Sequence, residues 1–338
     1  MTDTAPAAPK ATPLTRDAGI VVPIICGAMY PCSNPELVAA ASEAGALGVL
    51  QPISLTYVHR YDFREGIRKI RSLTDRPIGM NALIEQSSKT YRRRSEAWID
   101  IALEEGVRFF VTSLGKPDWV VRRVEPFGGL VYHDVTERKW AQKGVDCGVR
   151  GLIAVNNRAG GHPGRMDARA LLEDVADLGL PVVCAGGVGH EDGFAAALRM
   201  GYAGVQMGTR FIATDECAAS AEYKQSIVDA GEDDIVHSER ITGVPVAVIN
   251  TPSVRKLGLR AGVLARWMFR GRRTKHWMRT IYALRSLWQL RRSLHATKAR
   301  RDYWQAGKSV SGIRAVEPVA SVVRRFSRAA RSAGLSSS

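Results

Sequence analysis

No Cys-x-x-Cys pair occurs in the chain, and its cysteines number only five: Cys26, Cys32, Cys147, Cys184 and Cys217. An odd, scattered set argues against a disulfide frame or a structural zinc site. It favours reduced thiols, most of them buried as small hydrophobes, and a cytoplasmic setting. No uninterrupted apolar run reaches the roughly 18 residues that a membrane-crossing helix requires. The first twelve residues show no charged start followed by an apolar core, so no secretion signal is expected; residues 1–19 read as a loose tail. No His-x-x-His, Glu-x-x-His or paired-carboxylate cluster suggests a metal. A Gly-x-Ser-x-Gly elbow and a P-loop lysine motif are missing too. With 45% hydrophobic and 24% charged residues among 338, the chain is an average globular protein. That excludes wholesale disorder, a collagen-like fibre and a disulfide miniprotein.

Acidic residues are also missing from one long stretch. Residues 255–301 hold 15 Lys and Arg and neither Asp nor Glu, while the remainder balances 33 basic against 33 acidic residues. The net charge of +15 therefore belongs to one segment rather than to the whole surface. Within it, Trp277, Ile281, Leu284 and Trp288 recur at helical spacing. The foremost reading of this arm is an amphipathic helical cap, its stripe packed on the rest of the chain or on a second subunit. A surface for a membrane or an acidic partner comes next, and nucleic acid last.

What is present is a rhythm. Short Val, Ile and Leu-rich runs at 21–29, 47–52, 77–83, 108–114, 130–135, 151–157, 181–188 and 204–211 alternate with helical patterns. Runs of this kind are strands buried on both faces of a parallel sheet. Helical spacing covers 34–45, 62–75, 91–106, 167–179, 191–201 and 221–231, and Asn34, Pro35 and Gly45 punctuate the first of these. Eight strands in about 210 residues predict a (β/α)8 TIM barrel over 20–232; an open doubly wound sheet is the runner-up. A mostly helical C-terminal extension covers 233–330, with an extra strand within 241–250, and 331–338 reads as a second tail.

In such a barrel the loops after the strands build the site. CAGGVG (184–189) follows the seventh strand and QMGTRF (206–211) the eighth. Glycines in these two loops let the backbone approach an anion, so a phosphate-bearing ligand is expected. NNRAGGHPG (156–164) follows the sixth strand, and His162 on that glycine-rich loop is the candidate acid, base or anion partner. GAM (27–29) after the first strand is small enough for a flat ring, and Asn81 after the third can donate and accept toward a heterocycle. His133 and Asp134 end the fifth strand; one of them points into the mouth, and His133 is weighed as a second site residue.

The series PIICGAM, IGMN, NNRAGGHPG, VVCAGGV and VQMGTRF resembles the nitronate monooxygenase family, formerly 2-nitropropane dioxygenase, whose barrel is shared with flavin-dependent enoyl-acyl-carrier-protein reductases. The resemblance covers about residues 20–250 and resumes at 302–313. It implies FMN bound without a covalent link. Gly27, Ala28 and Met29 would lie by its ring with Asn81, and Gln206 by the ring or ribityl chain. Gly161 would sit beside the cofactor. Ala185, Gly186 and Gly187 would hold the phosphate from one side, Gly208 and Thr209 from the other. His162 matches the family's active-site histidine, and 302–313 matches a segment that returns over the flavin. Two positions depart from the pattern: Ala28 stands where a proline is commoner, and NNR precedes AGGH where the carrier-protein reductases carry an acidic residue.

The resemblance thus implies oxidation of alkyl nitronates, or of nitroalkanes, by O2 to a carbonyl compound and nitrite. An NAD(P)H-dependent reductase of enoyl thioesters is the enzymatic alternative. A binding module built on the basic arm is the alternative that is not an enzyme.

Overall fold

The computed structural model describes residues 11–84, 89–240, 244–260 and 303–332. Eight parallel strands close on themselves in sequence order. They are β1 (Ile24–Cys26), β2 (Leu47–Leu50), β3 (Ile78–Leu83), β4 (Phe109–Ser113), β5 (Leu130–Val135), β6 (Gly151–Val155), β7 (Val182–Ala185) and β8 (Gly204–Met207). Closure is direct: Ile24, Ile25 and Cys26 of β1 pair with Val205, Gln206 and Met207 of β8. The closed barrel, rather than the open sheet, is therefore the fold.

Helices α2 (Pro35–Glu43), α3 (Phe63–Arg71), α4 (Lys89–Glu104), α5 (Asp118–Val124), α6 (Arg138–Asp146), α7 (Ala168–Val175) and α8 (Glu191–Met200) fill the first seven crossovers, after α1 (Pro13–Ala18). A single helical turn, α9 (Thr209–Ile212), and then α10 (Ala221–Asp229) follow β8. Every strand is buried on both faces, because one face meets the helices and the other fills the barrel. The inner face supplies a plug of Ile25, Leu47, Val49, Phe109, Val111, Tyr132, Ile153 and Val183. Within it the rings of Phe109 and Tyr132 meet at 4.9 Å.

The N-terminal segment departs from expectation. Residues 13–18, read as part of a loose tail, form α1, capped by Thr12 in a reciprocal box with Thr15. The helix seals the N-terminal end of the barrel: Leu14 is fully buried in the plug, and Asp17 accepts a hydrogen bond from the Tyr132 hydroxyl at 2.9 Å. Apolar area at the open barrel bottom decides the matter, since a six-residue helix has no stability of its own.

Beyond the barrel, β9 (Ile235–Ser238) and β10 (Val246–Ile249) form an antiparallel pair, the second being the extra strand expected within 241–250. Helix α11 (Pro252–Leu257) follows, and α12 (Val319–Ser332) packs across α8 and α2. Of the basic arm, residues 261–301, including the Trp277 to Trp288 stripe, lie outside the described residues. Among the described residues no helix is long and apolar enough to cross a membrane.

Candidate active site at the barrel mouth

Side chains alternate along a strand, so neighbours sort the faces. On β5, Val131 and Val135 pack outward against the helices while Leu130 and Tyr132 join the inner plug. Asp134 therefore faces inward, at the C-terminal end, and His133 faces out. His133 is buried, its Nδ1 lies 2.8 Å from Thr112 Oγ1, and Gly144 of α6 covers its ring. Burial pushes its imidazole pKa down to about 4. His133 is thus a neutral, satisfied filler between barrel and helix, and its weighing as a second site residue is corrected: of this pair it is Asp134 that faces the mouth.

The same alternation turns Asn81 and Gln206 inward, since Met80, Ala82, Val205 and Met207 all belong to the outer layer. Above the apolar plug the barrel thus acquires a polar floor. Gln206 crosses beneath Gly27, where a Cβ would come within 2.9 Å of its Cγ. It lies close enough to Asp134 to favour that carboxyl's ionised form. Burial outweighs this and pushes the Asp134 pKa up to about 7. Asn81 Oδ1 and Asp134 Oδ1 are buried and without a hydrogen-bond partner among the described residues. Two such oxygens at one end of a barrel mark where a polar ligand edge belongs, because an unmet buried oxygen costs about 1–3 kcal/mol.

Three loops surround this floor. After β7, Gly186 and Gly187 adopt φ of +118° and +79°. A Cβ at Gly186 would stand 2.4 Å from Asn156 Oδ1, and one at Gly187 would stand 2.7 Å from Arg158 Nε. Ala185, the last residue of β7, belongs to the inner layer. After β8, Gly208 begins the α9 turn with Met29 Sδ against it, 3.2 Å from where a Cβ would be. Met29 donates its N–H to Ser33 Oγ at 2.8 Å, so its thioether is what meets the β8 turn. The GAM motif and the loop after β8 are thereby in contact, and Ala28 packs on the inner plug.

After β6, the AGGH loop is held from several sides. Gly161 (φ +69°) accepts from Ala247 N of β10 at 2.7 Å. Residues 303–312 return to the mouth: Gly307 N donates to Thr209 Oγ1 at 3.0 Å, and Lys308 N donates to Arg158 O at 2.9 Å. His162 stands on this loop, exposed at its surface yet crowded enough that desolvation lowers its pKa. At neutral pH its imidazole is therefore neutral.

Asn156 is a site residue that motif reading missed. Fully buried, it donates from Nδ2 to Gly186 O at 3.0 Å and accepts the Arg158 N–H at Oδ1 at 2.8 Å. It stitches the His162 loop to the glycine turn after β7. The available signal was an asparagine at the very end of a strand, a side chain with both donor and acceptor where two loops must meet.

The chain is similar to known proteins over most of its length. The family model described as nitronate monooxygenase matches residues 11–325. A Rhodococcus jostii protein named (3aS,4S,5R,7aS)-5-hydroxy-7a-methyl-1-oxo-octahydro-1H-indene-4-carboxyl-CoA dehydrogenase is 33% identical over 247 residues, covering 73% of this chain and 67% of its own. The nitronate monooxygenase of Pseudomonas aeruginosa is 31% identical, covering 63% and 72%. The solved structure of FabK from Thermotoga maritima superposes with a TM-score of 0.79 at 28% identity, over 95% of this chain and 96% of that one.

Proposed function

The chain belongs to the nitronate monooxygenase family and is an oxidoreductase, and from that premise we propose that it binds FMN at the barrel mouth and oxidises a small nitronate with O2, releasing a carbonyl compound and nitrite. The polar floor carries this reading. Asn81 and Asp134 each keep a buried oxygen to be met, as the polar edge of a heterocycle would meet it, and the Gly186–Gly187 turn beside them admits no Cβ.

Bound there, the flavin would supply the electron-accepting ring that returns electrons to oxygen. Asn81, Gln206 and Asp134 would meet the ring's polar edge, with Gly27, Ala28 and Met29 alongside. Ala185, Gly186, Gly187, Gly208 and Thr209 would hold the phosphate, with Gly161 closing the mouth. The apolar plug beneath keeps water from entering by way of the barrel. His162, neutral at physiological pH, leaves an anionic substrate unprotonated and takes the proton alpha to a nitro group when the substrate arrives as the nitroalkane.

The direct test is oxygen uptake with propionate 3-nitronate in the absence of NAD(P)H. Uptake with stoichiometric nitrite and a flavin spectrum supports the reading; a flavin-loaded enzyme inert to nitronates overturns the substrate. A second reading, redox chemistry on an acyl-CoA thioester, is favoured by the names of two relatives at 33% and 32% identity, both CoA-thioester dehydrogenases. It predicts instead pyridine-nucleotide turnover coupled to a CoA thioester. A nitroalkane and a thioester share an acidic C–H beside an electron-withdrawing group, so His162 serves both.

A further inference from the structure

Arg158 stands where the loop after β6 crosses the glycine turn after β7. Its side chain runs along Gly187: a Cβ at that glycine would meet Arg158 Nε at 2.7 Å and its Cβ and Cδ at 3.0 Å. The backbone beneath it is fixed at both ends, its N–H given to Asn156 Oδ1 and its carbonyl accepting from Lys308 N. The guanidinium reaches Glu232, which also accepts from Ser311 Oγ at 2.9 Å. Arg158, with Lys308 nearby, holds the Glu232 carboxyl below its ordinary range. Glu232 is therefore an ionised counter-charge that sets where the guanidinium points.

The Arg158 side chain remains 37% exposed, and a guanidinium carries five donors in a rigid fork. Among the described residues the guanidinium donates to Glu232 alone, which leaves most of that fork for a second anion. Glycine turns offer an anion only backbone dipoles. A guanidinium against the turn adds a full charge and bidentate geometry suited to phosphate.

We propose that Arg158 is a phosphate ligand, and that with Glu232 and Ser311 aiming it, this chain selects a phosphorylated flavin over the same flavin without its phosphate. The proposal rests on the reading of Gly186–Gly187 as a phosphate cradle, and its test separates the two. The full-length chain, stripped of flavin, is titrated with FMN and with riboflavin, following the quenching of flavin fluorescence. In the wild type FMN binds at least ten times more tightly. Arg158→Ala lowers FMN affinity about 10- to 100-fold and leaves riboflavin within threefold, the loss expected of a charge-assisted contact. Arg158→Gln, which keeps the stem against Gly187, serves where Arg158→Ala fails to fold. Equal loss of both flavins overturns the proposal in favour of a structural role. An unchanged preference for FMN overturns it while leaving the cradle standing. A wild type that binds both flavins equally, or neither, removes the cradle and Arg158 together.

Discussion

His162 and Asp134 are the titratable side chains to which the proposed reading gives the chemistry, and the protein treats them alike: crowding disfavours the charged form of each. For His162 the consequence is kinetic. Turnover is expected to fall on acidification only below the ordinary imidazole range, as the ring takes up a proton. His162→Asn is expected to lower turnover of a nitroalkane about 10²- to 10⁴-fold, the usual worth of a positioned base, with the flavin spectrum retained. Unchanged turnover in a flavin-loaded variant would remove His162 from the mechanism. For Asp134 the consequence is thermodynamic. Its folded-state pKa of about 7 lies above that of the unfolded chain, so its contribution is favourable at acid pH and is lost as pH rises toward 7. Asp134→Asn removes that loss. The variant should gain about 2–4 kcal/mol over the wild type at pH 8 and little near pH 4. Urea unfolding of the flavin-free chain at the two pH values measures it, and an equal gain at both would show that Asp134 is not held neutral.

At the scale of elements, glycines on either side of β7 separate backbone strain from packing. Gly186→Ala places a Cβ 2.4 Å from Asn156 Oδ1 at a φ of +118°, whereas Gly179→Ala, at φ +74°, meets nothing within 4 Å. The first is expected to cost about 3–5 kcal/mol and the flavin with it, the second about 1–2 kcal/mol from backbone conformation alone. Thermal unfolding and flavin content of the two purified variants distinguish them. The same elements show what was legible in the sequence. All eight barrel strands fall inside the apolar runs, because strands buried on both faces are written in Val, Ile and Leu without alternation. That continuity also hides which face is which. Nothing in VYHDV tells His133 from Asp134 until Val131, Tyr132 and Val135 are seen to sort between helix layer and plug. Helices α5 and α6 escaped notice because their patterns are short and thick with charge, Arg122 and Arg123 in one, Arg138, Lys139 and Lys143 in the other. Helix α1 escaped because tertiary burial alone makes six residues a helix. The glycine loops were legible because close backbone approach leaves glycine no substitute. Asn156 was not, since its value lies wholly in contacts distant along the chain.

Across the whole molecule, one buried guanidinium ties the mouth to the C-terminal helix. Arg210, next to Thr209 in the β8 loop, is 1% exposed along its side chain and forms an ion pair with Glu317 at 3.4 Å. Its Nη2 donates to Ala213 O at 2.6 Å and Ala315 O at 2.9 Å. Burial lowers its pKa to about 10, still well above neutrality, so it stays charged. Glu317 is shared with Arg325 of α12, which reaches back to Glu191 at the start of α8. The segment that crosses the mouth is thus anchored by the same network that docks α12 on the barrel. Arg210→Met keeps the volume and removes the donors. Glu317 retains Arg325, so no carboxylate is stranded; the two carbonyls are, and the variant is expected to lose about 2–4 kcal/mol. Arg325→Met removes an equally charged partner from a side chain 37% exposed, and is expected to lose no more than about 1 kcal/mol. Thermal midpoints of the two variants, each with and without FMN, test the network. Only Arg210→Met should also lower flavin affinity, because only that change loosens the β8 turn carrying Thr209. Equal effects would show that the site is held by the barrel alone and that the C-terminal helix is an independent attachment.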